Sequence, residues 1–204
     1  LQTYYTLLGF NIEGRLVFSN AAACIAPIRR QQASPALDSF YIELLIIWAG
    51  FSNLLNDYEE TNKLIKEAYP MAGAIQNHAL LAEILTVWGQ RLYMTSDFVA
   101  ARTKLKNALD HAQLAGARQI ESEIYRILGN IALDIETLSS DEARLNYQKS
   151  LEICRELGDR PGESGSLNNL GLVSLANDEH AEALKFFEQN LIVARQIGDR
   201  VMEG

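Results

Sequence analysis

Residues 145–160 read LNYQKSLEICRELGDR, and residues 185–200 read KFFEQNLIVARQIGDR. The two stretches align without a gap. Leu151 falls on Leu191, Arg155 on Arg195, Gly158 on Gly198, Asp159 on Asp199 and Arg160 on Arg200, while Tyr147 faces Phe187. A segment copied at a fixed period of about 40 residues marks a repeat architecture.

The same register runs back along the chain. Gly9, Gly50, Gly89, Gly129 and Gly171 follow one another at nearly even steps. Each is followed, where a second helix should begin, by an aromatic residue, an alanine or a similar residue. The sets are Gly9/Phe18/Ala21, Gly50/Tyr58, Gly89/Phe98/Ala101, Gly129/Ala143 and Gly171/Ala183. The step from Gly129 to Gly171 is the longest, and it has a located cause. Gly129 to Ala143 is longer by two positions than Gly89 to Ala101 or Gly171 to Ala183, so a two-residue insertion lies near Thr137–Ser140.

Two antiparallel helices of about 14–18 residues with two short turns need about 40 residues. Glycine inside a helix costs about 1 kcal/mol relative to alanine, so five at one register need a packing reason. The reason expected is a close crossing of small residue on small residue, Gly on the first helix and Ala on the second. Gly116, Gly158 and Gly198 close three second helices and suit a left-handed C′ position; Asp159 and Asp199 then suit the next N-cap. Ser139-x-x-Glu142 and Asn56-x-x-Glu59 have capping-box spacing. Ile120, Ile124, Ile127, Leu128 and Ile131 recur with a helical period, as do Leu184, Phe187, Leu191 and Ala194.

Composition agrees. Of 204 residues, 48% are hydrophobic, and only 13 are Gly and 4 Pro, which argues against an all-β fold of many tight turns. The net charge of −8 repels phosphates, so no direct nucleic-acid partner is expected. Cys24 and Cys154 lie far apart and outside any paired motif, so no disulfide framework is implied and a cytoplasmic setting is expected. The longest apolar run, Leu44–Gly50, is far below the ~18 residues of a membrane span. The chain starts at Leu1 without a basic leader and stops at Gly204, just inside a new junction, which points to a piece of a longer protein.

The pattern resembles the tetratricopeptide repeat, whose core runs Leu-Gly, an aromatic residue, Ala, a further aromatic and a small residue. Asn169-Leu170-Gly171, Ala183 and Phe187 carry the best match. The long period and the Leu/Ile-Gly-Asp-Arg junction look like the subfamily found in kinesin light chains and in the sensor arms of bacterial signal-transduction ATPases. The resemblance implies an all-α fold, a right-handed α–α superhelix of about five helical hairpins. Residues 1–35 would be a degenerate first repeat. Residues 36–77, 78–117, 118–159 and 160–199 would be full repeats, and 200–204 the start of a sixth. Pro27 should end or kink the second helix of the first repeat. Asn190 stands where the family has a small residue, so a looser crossing is expected there.

Chemistry is sparse. His78, His111 and His180 fall in no metal-ligand motif, so neither a metal nor a cofactor is expected. Gly162-Glu163-Ser164-Gly165-Ser166 has no preceding strand and no following Lys, so it is a repeat junction rather than a phosphate loop. Acidic pairs such as Glu59/Glu60 and Asp141/Glu142 sit at helix starts, where the dipole favours them. No catalytic residue is assigned.

The resemblance places a binding groove along the first helices. Counted from each marker glycine, the groove candidates include Thr6, Trp48, Phe51, Thr86, Gln90, Tyr93, Arg126, Asn130, Leu133, Asn168, Asn169 and Leu172. Trp48 and Phe51 can anchor a partner or pack against the first repeat. Arg126, Asn130 and Asn169 match three positions of the tetratricopeptide domains that grip a peptide's C-terminal carboxylate, with Arg in place of the usual Lys. They can instead satisfy neighbouring helices. The partner expected is a protein or peptide segment, with no membrane, and self-association through the exposed last repeat is a further expectation. A second function follows from the subfamily: a sensing arm for a small molecule or partner in a larger signalling ATPase or regulator.

Overall fold

The computed structural model describes residues 10–32, 34–135 and 140–198. Thr6, Gly9, Ser139, Asp199 and residues 200–204 lie outside them, as does most of the Thr137–Ser140 insertion. The described residues form nine α-helices: α1 (Asn11–Gln31), α2 (Pro35–Leu54), α3 (Tyr58–Ala74), α4 (His78–Met94), α5 (Phe98–Ala115), α6 (Arg118–Asp134), α7 (Ser140–Leu157), α8 (Arg160–Ala176) and α9 (His180–Ile197). They group into two compact units, residues 1–115 and 116–204. Each unit is a stack of helical hairpins of the α–α solenoid kind. In unit 1, α2 packs on α1 and α3, and α4 on α5; in unit 2, α6 packs on α7, α7 on α8 and α8 on α9.

The marker glycines do face their hairpin partners, but not in the expected way. A Cβ on Gly89 would lie 2.6 Å from Leu105, one on Gly129 2.5 Å from Tyr147, and one on Gly171 2.5 Å from Phe187. In each hairpin the bulky residue stands four places after the alanine, so Ala101, Ala143 and Ala183 are buried one turn away. The glycine is therefore a slot for a large side chain, and small-on-small packing is corrected to large-into-gap. Burial drives this: Leu105 and Tyr147 are buried and Phe187 half-buried, and each removes more apolar surface from water than an alanine would. Gly14 on α1 does the same for Phe51, whose ring would lie 2.6 Å from an added Cβ.

The turns share one design. Asn56, Gln76, Ser96, Gly116, Gly158 and Asp178 all have positive φ, from 51° to 69°. At five of them the preceding helix closes with paired bonds, as in Asn56 N–H to the Asn53 carbonyl and Asp57 N–H to the Ser52 carbonyl. This is a Schellman ending, which satisfies the last carbonyls. The next residue often caps the following helix: Asp57 accepts from Glu60 N–H, Asn77 from Leu80, Asp97 from Ala100 and Asp159 from Gly162. The chain thus reverses in two residues. Asn56 is not a cap, as its spacing suggested, but the left-handed residue before one.

Pro27 does not end its helix, since α1 continues to Gln31. Asn190 is 2% exposed, and its Oδ1 accepts from Ser164 Oγ at 2.6 Å. A hydrogen bond replaces the small residue there, so the crossing is closed, not loose.

Gly129→Ala is expected to lower stability by about 1–3 kcal/mol through overpacking against Tyr147. Gly171→Leu should cost more. Gly73 on α3 has nothing within 4 Å of its Cβ position, so Gly73→Ala should raise stability by about 0.4–1 kcal/mol. Urea unfolding followed by circular dichroism reads all three; equal midpoints for Gly129→Ala and Gly73→Ala would refute the slot.

Candidate functional site

Unit 2 brings its polar candidates onto two first helices, α6 and α8, which touch each other. Gly129 and Asn130 act as a pair. Gly129 admits the Tyr147 ring, and the ring's hydroxyl then donates to Asn130 Oδ1 at 2.7 Å. Tyr147 is buried and Asn130 half-buried, so the bond fixes which way the Asn130 amide points and leaves its NH2 group to donate elsewhere. At the matching place in the last hairpin Phe187 has no hydroxyl, and the residue after Gly171 is the exposed Leu172.

Arg126 stands one turn before Asn130. Its Cδ lies 3.9 Å from the Cβ position of Gly165 on α8, so its stem rests on α8 one turn before Asn169. Asn168 and Asn169 are half-buried. Arg126, Asn130 and Asn169 thus lie on adjoining helices.

Four other arginines of unit 2 are closed by glutamates, whereas Arg126 and the exposed Arg195 on α9 are not. Arg118 bonds Glu121 at 2.8 Å and Glu156 at 2.7 Å. Arg144 pairs with Glu179 and Glu182, and these bonds raise its already high pKa. Arg155 and Arg160 close on Glu163 at 2.9 and 2.7 Å. Burial pushes the Glu163 carboxyl up, but the two guanidinium hydrogen bonds and charges outweigh it and hold the carboxyl below the ordinary carboxylate value. Among the described residues Arg126 has no carboxylate partner.

Unit 1 holds the apolar candidates. Phe51 is 1% exposed; its ring fills the Gly14 slot and stacks on Phe18 with centroids 5.8 Å apart. It is core, not groove, because a ring that is sealed by its own hairpins offers no surface to a partner. Thr86 is likewise buried and donates to the Ala82 carbonyl. Trp48 is half-buried, packs against the unit 1 core, and lines a cleft of about 330 Å3 with Ile12, Leu16, Arg15 and Asp57. Gln90 and Tyr93 are half-buried on α4, with the Tyr93 ring 5.8 Å from Phe98.

One constellation was not read from the sequence: His78 Nδ1 lies 2.8 Å from His111 Nδ1. The register held the signal. Eleven residues back from Gly89 and ten on from Ala101 reach these two histidines, as antiparallel helices require. Among the described residues no group of three His, Cys, Asp or Glu could hold a metal, and no helix is long and apolar enough to cross a membrane.

Comparison with known proteins places this geometry. Residues 123–196 match the family model described as tetratricopeptide repeat. The crystal structure of BtubC (BKLC) from P. vanneervenii is similar with a TM-score of 0.76 at 16% identity, covering 91% of this chain and 74% of that one. That of MamA is similar at 0.59 and 16% identity, over 89% of this chain and 91% of that one. A signal transduction ATPase with numerous domains, with a tetratricopeptide repeat sensor, from Pyrococcus horikoshii is similar at 0.70 and 20% identity. There the match covers 83% of this chain and 26% of that one. No curated protein matches by sequence. At these identities the structural likenesses speak for the fold.

Tyr147→Phe should cost about 0.5–1.5 kcal/mol with unchanged helicity, because it leaves Asn130 Oδ1 without its donor. A thermal melt equal to that of the native chain would separate Asn130 from Tyr147.

Proposed function

We propose that this chain, of which residues 123–196 match the tetratricopeptide repeat, is a non-catalytic scaffold that binds a protein or peptide segment. The observation that carries this is Arg126, which has no carboxylate partner among the described residues and rests its stem on the neighbouring first helix. Four arginines of unit 2 are closed by glutamates, while Arg126 lies among asparagines on adjoining first helices. A guanidinium held without a carboxylate of its own is a receptor for one from outside, and amide groups beside it suit a carboxylate or an extended backbone. Arg126 supplies the charge and two donors in a fork. Asn130, oriented by Tyr147, and Asn169 supply amide donors. Asn168, Gln90, Tyr93 and Trp48 are proposed as further contacts, each within its own unit.

The setting proposed is the cytoplasm, with no nucleic acid or membrane as partner. The exposed Leu184 and Ile192 on α9 are the face proposed for self-association.

A second function is favoured by the likeness to the Pyrococcus horikoshii structure: the repeats serve as the sensing arm of a larger signalling ATPase or regulator, receiving a small molecule or a partner. The complete gene product decides it. A phosphate loop in the same polypeptide supports the arm, and a protein made of repeats alone sinks it.

For the site, a library of random peptides presented as free C-terminal acids and as C-terminal amides is the probe. Acids are expected to bind in preference. Arg126→Ala with Asn169→Ala should weaken the selected peptides by about 1.5–3 kcal/mol, roughly tenfold to a hundredfold, with helicity unchanged. Equal binding of acids and amides would rule out the carboxylate, and unchanged affinity in the double variant would remove these residues from the site.

A further inference from the structure

Unit 1 joins two histidines that are 33 residues apart in the chain. His78 opens α4 behind the Asn77 cap, and His111 lies near the end of α5. Both are half-buried. Their Nδ1 atoms are 2.8 Å apart, while the ring centroids are 5.0 Å apart with planes at 27°. The centroid separation exceeds the nitrogen separation by about two ring radii. The two nitrogens therefore lie between the rings and point at each other.

That arrangement has one bonded form. Two bare nitrogens at this distance repel, and two N–H groups collide. The contact holds only when one Nδ1 carries a hydrogen and the other offers its lone pair. A shared metal ion suits it poorly, because the lone pairs meet head-on instead of converging on a point about 2.0–2.1 Å from each. Among the described residues no third ligand joins them.

We propose that His78 and His111 form a one-proton latch that ties the start of α4 to the end of α5, and that acid opens it. The proton balance is simple. The neutral pair holds one hydrogen between the facing atoms and one on the outer Nε2 of the acceptor ring. A first added proton goes to the bare outer Nε2 of the donor ring and leaves the facing bond in place. A second added proton can only go to the bare Nδ1. It replaces the bond with two N–H groups and two like charges, so the latch must part. Unfolded, the two rings take up both protons independently. The folded pair is thus one proton short in acid.

The surroundings agree. The titratable and charged groups that bear on His111 are His78 on α4 and Asp110 on α5. Among the described residues α2 and α3, which also pack on α4, place none on it. Burial first, and His78 second, lower its pKa from the ordinary 6.5, and Asp110 opposes them. The stability of unit 1 is then full above pH 6.5 and falls as the pH drops from there toward the lowered value. For one proton the folded-to-unfolded ratio falls by roughly tenfold per pH unit in that window.

Both tryptophans of the chain, Trp48 and Trp88, lie in unit 1, so their fluorescence in urea reports on that unit within the full chain. The experiment is a double-mutant cycle of His78→Ala and His111→Ala at about pH 7.5 and about pH 5. A coupling of roughly threefold to tenfold in the unfolding constant is expected at the higher pH and should weaken at the lower. Additive variants at both pH values overturn the latch, as does a coupling that persists unchanged in acid. Long-range proton–nitrogen NMR of the native chain gives a readout that needs no variant to fold. One of the two rings should be the Nδ1–H tautomer and the other the Nε2–H tautomer, with His180 on α9 as the reference ring. Two Nε2–H rings would overturn it.

Discussion

Each described hairpin with a marker slot is held by a large side chain set into the gap that a helical glycine leaves on its partner. Leu105 in Gly89, Tyr147 in Gly129 and Phe187 in Gly171 are the same joint made three times. Glycine is a poor helix former, and its cost of about 1 kcal/mol is offset because a ring or a leucine is buried at the closest point of two helices. The joint also sets the register of one helix against the other. Everything that stands a fixed number of residues away, including the candidate groove positions and the histidine pair, is placed by it.

The joint does more at Gly129 than at the other two glycines. Tyr147 fills the gap and also ends in a hydroxyl, which meets Asn130 as soon as the ring has passed Gly129. A packing device thereby orients a surface amide. Beside it, the arginines that glutamates close serve structure. Arg118 reaches the second helix of its own hairpin, Arg144 reaches the start of α9 in the next, and Arg155 and Arg160 share one buried carboxylate. Arg126 has the same chemistry with no carboxylate partner among the described residues. Whether an arginine is closed by an ion pair is decided not by the side chain but by what the neighbouring helix presents to it.

Polar groups inside the stack follow the same economy. Ser164 bonds Asn190 within the last hairpin, and Ser166 bonds Ser150 at 3.0 Å across to the one before. A slipped register would leave these groups unpaired in an apolar core, at about 1–3 kcal/mol each. Such pairs specify one stacking arrangement where hydrophobic contact alone would accept several.

The repeat period, the marker glycines and the left-handed Gly116 and Gly158 were legible in the sequence because each answers a local or near-local demand: helix length, close approach, or positive φ. Local rules also misled. Asn56 has capping-box spacing, yet it takes the left-handed position, since only the chain's reversal decides which of two polar residues ends one helix and which begins the next. Phe51 has a groove register, yet Gly14 on the preceding helix takes its ring into the core. The repeat and its hairpins were determined by the sequence alone, because periodicity is a property of one chain read in order. Which side chains stayed free was decided only by tertiary structure. Whether Arg126 meets a glutamate, Asn130 a tyrosine or His78 a second histidine depends on residues far away in the chain, brought together by the packing of one helix on another.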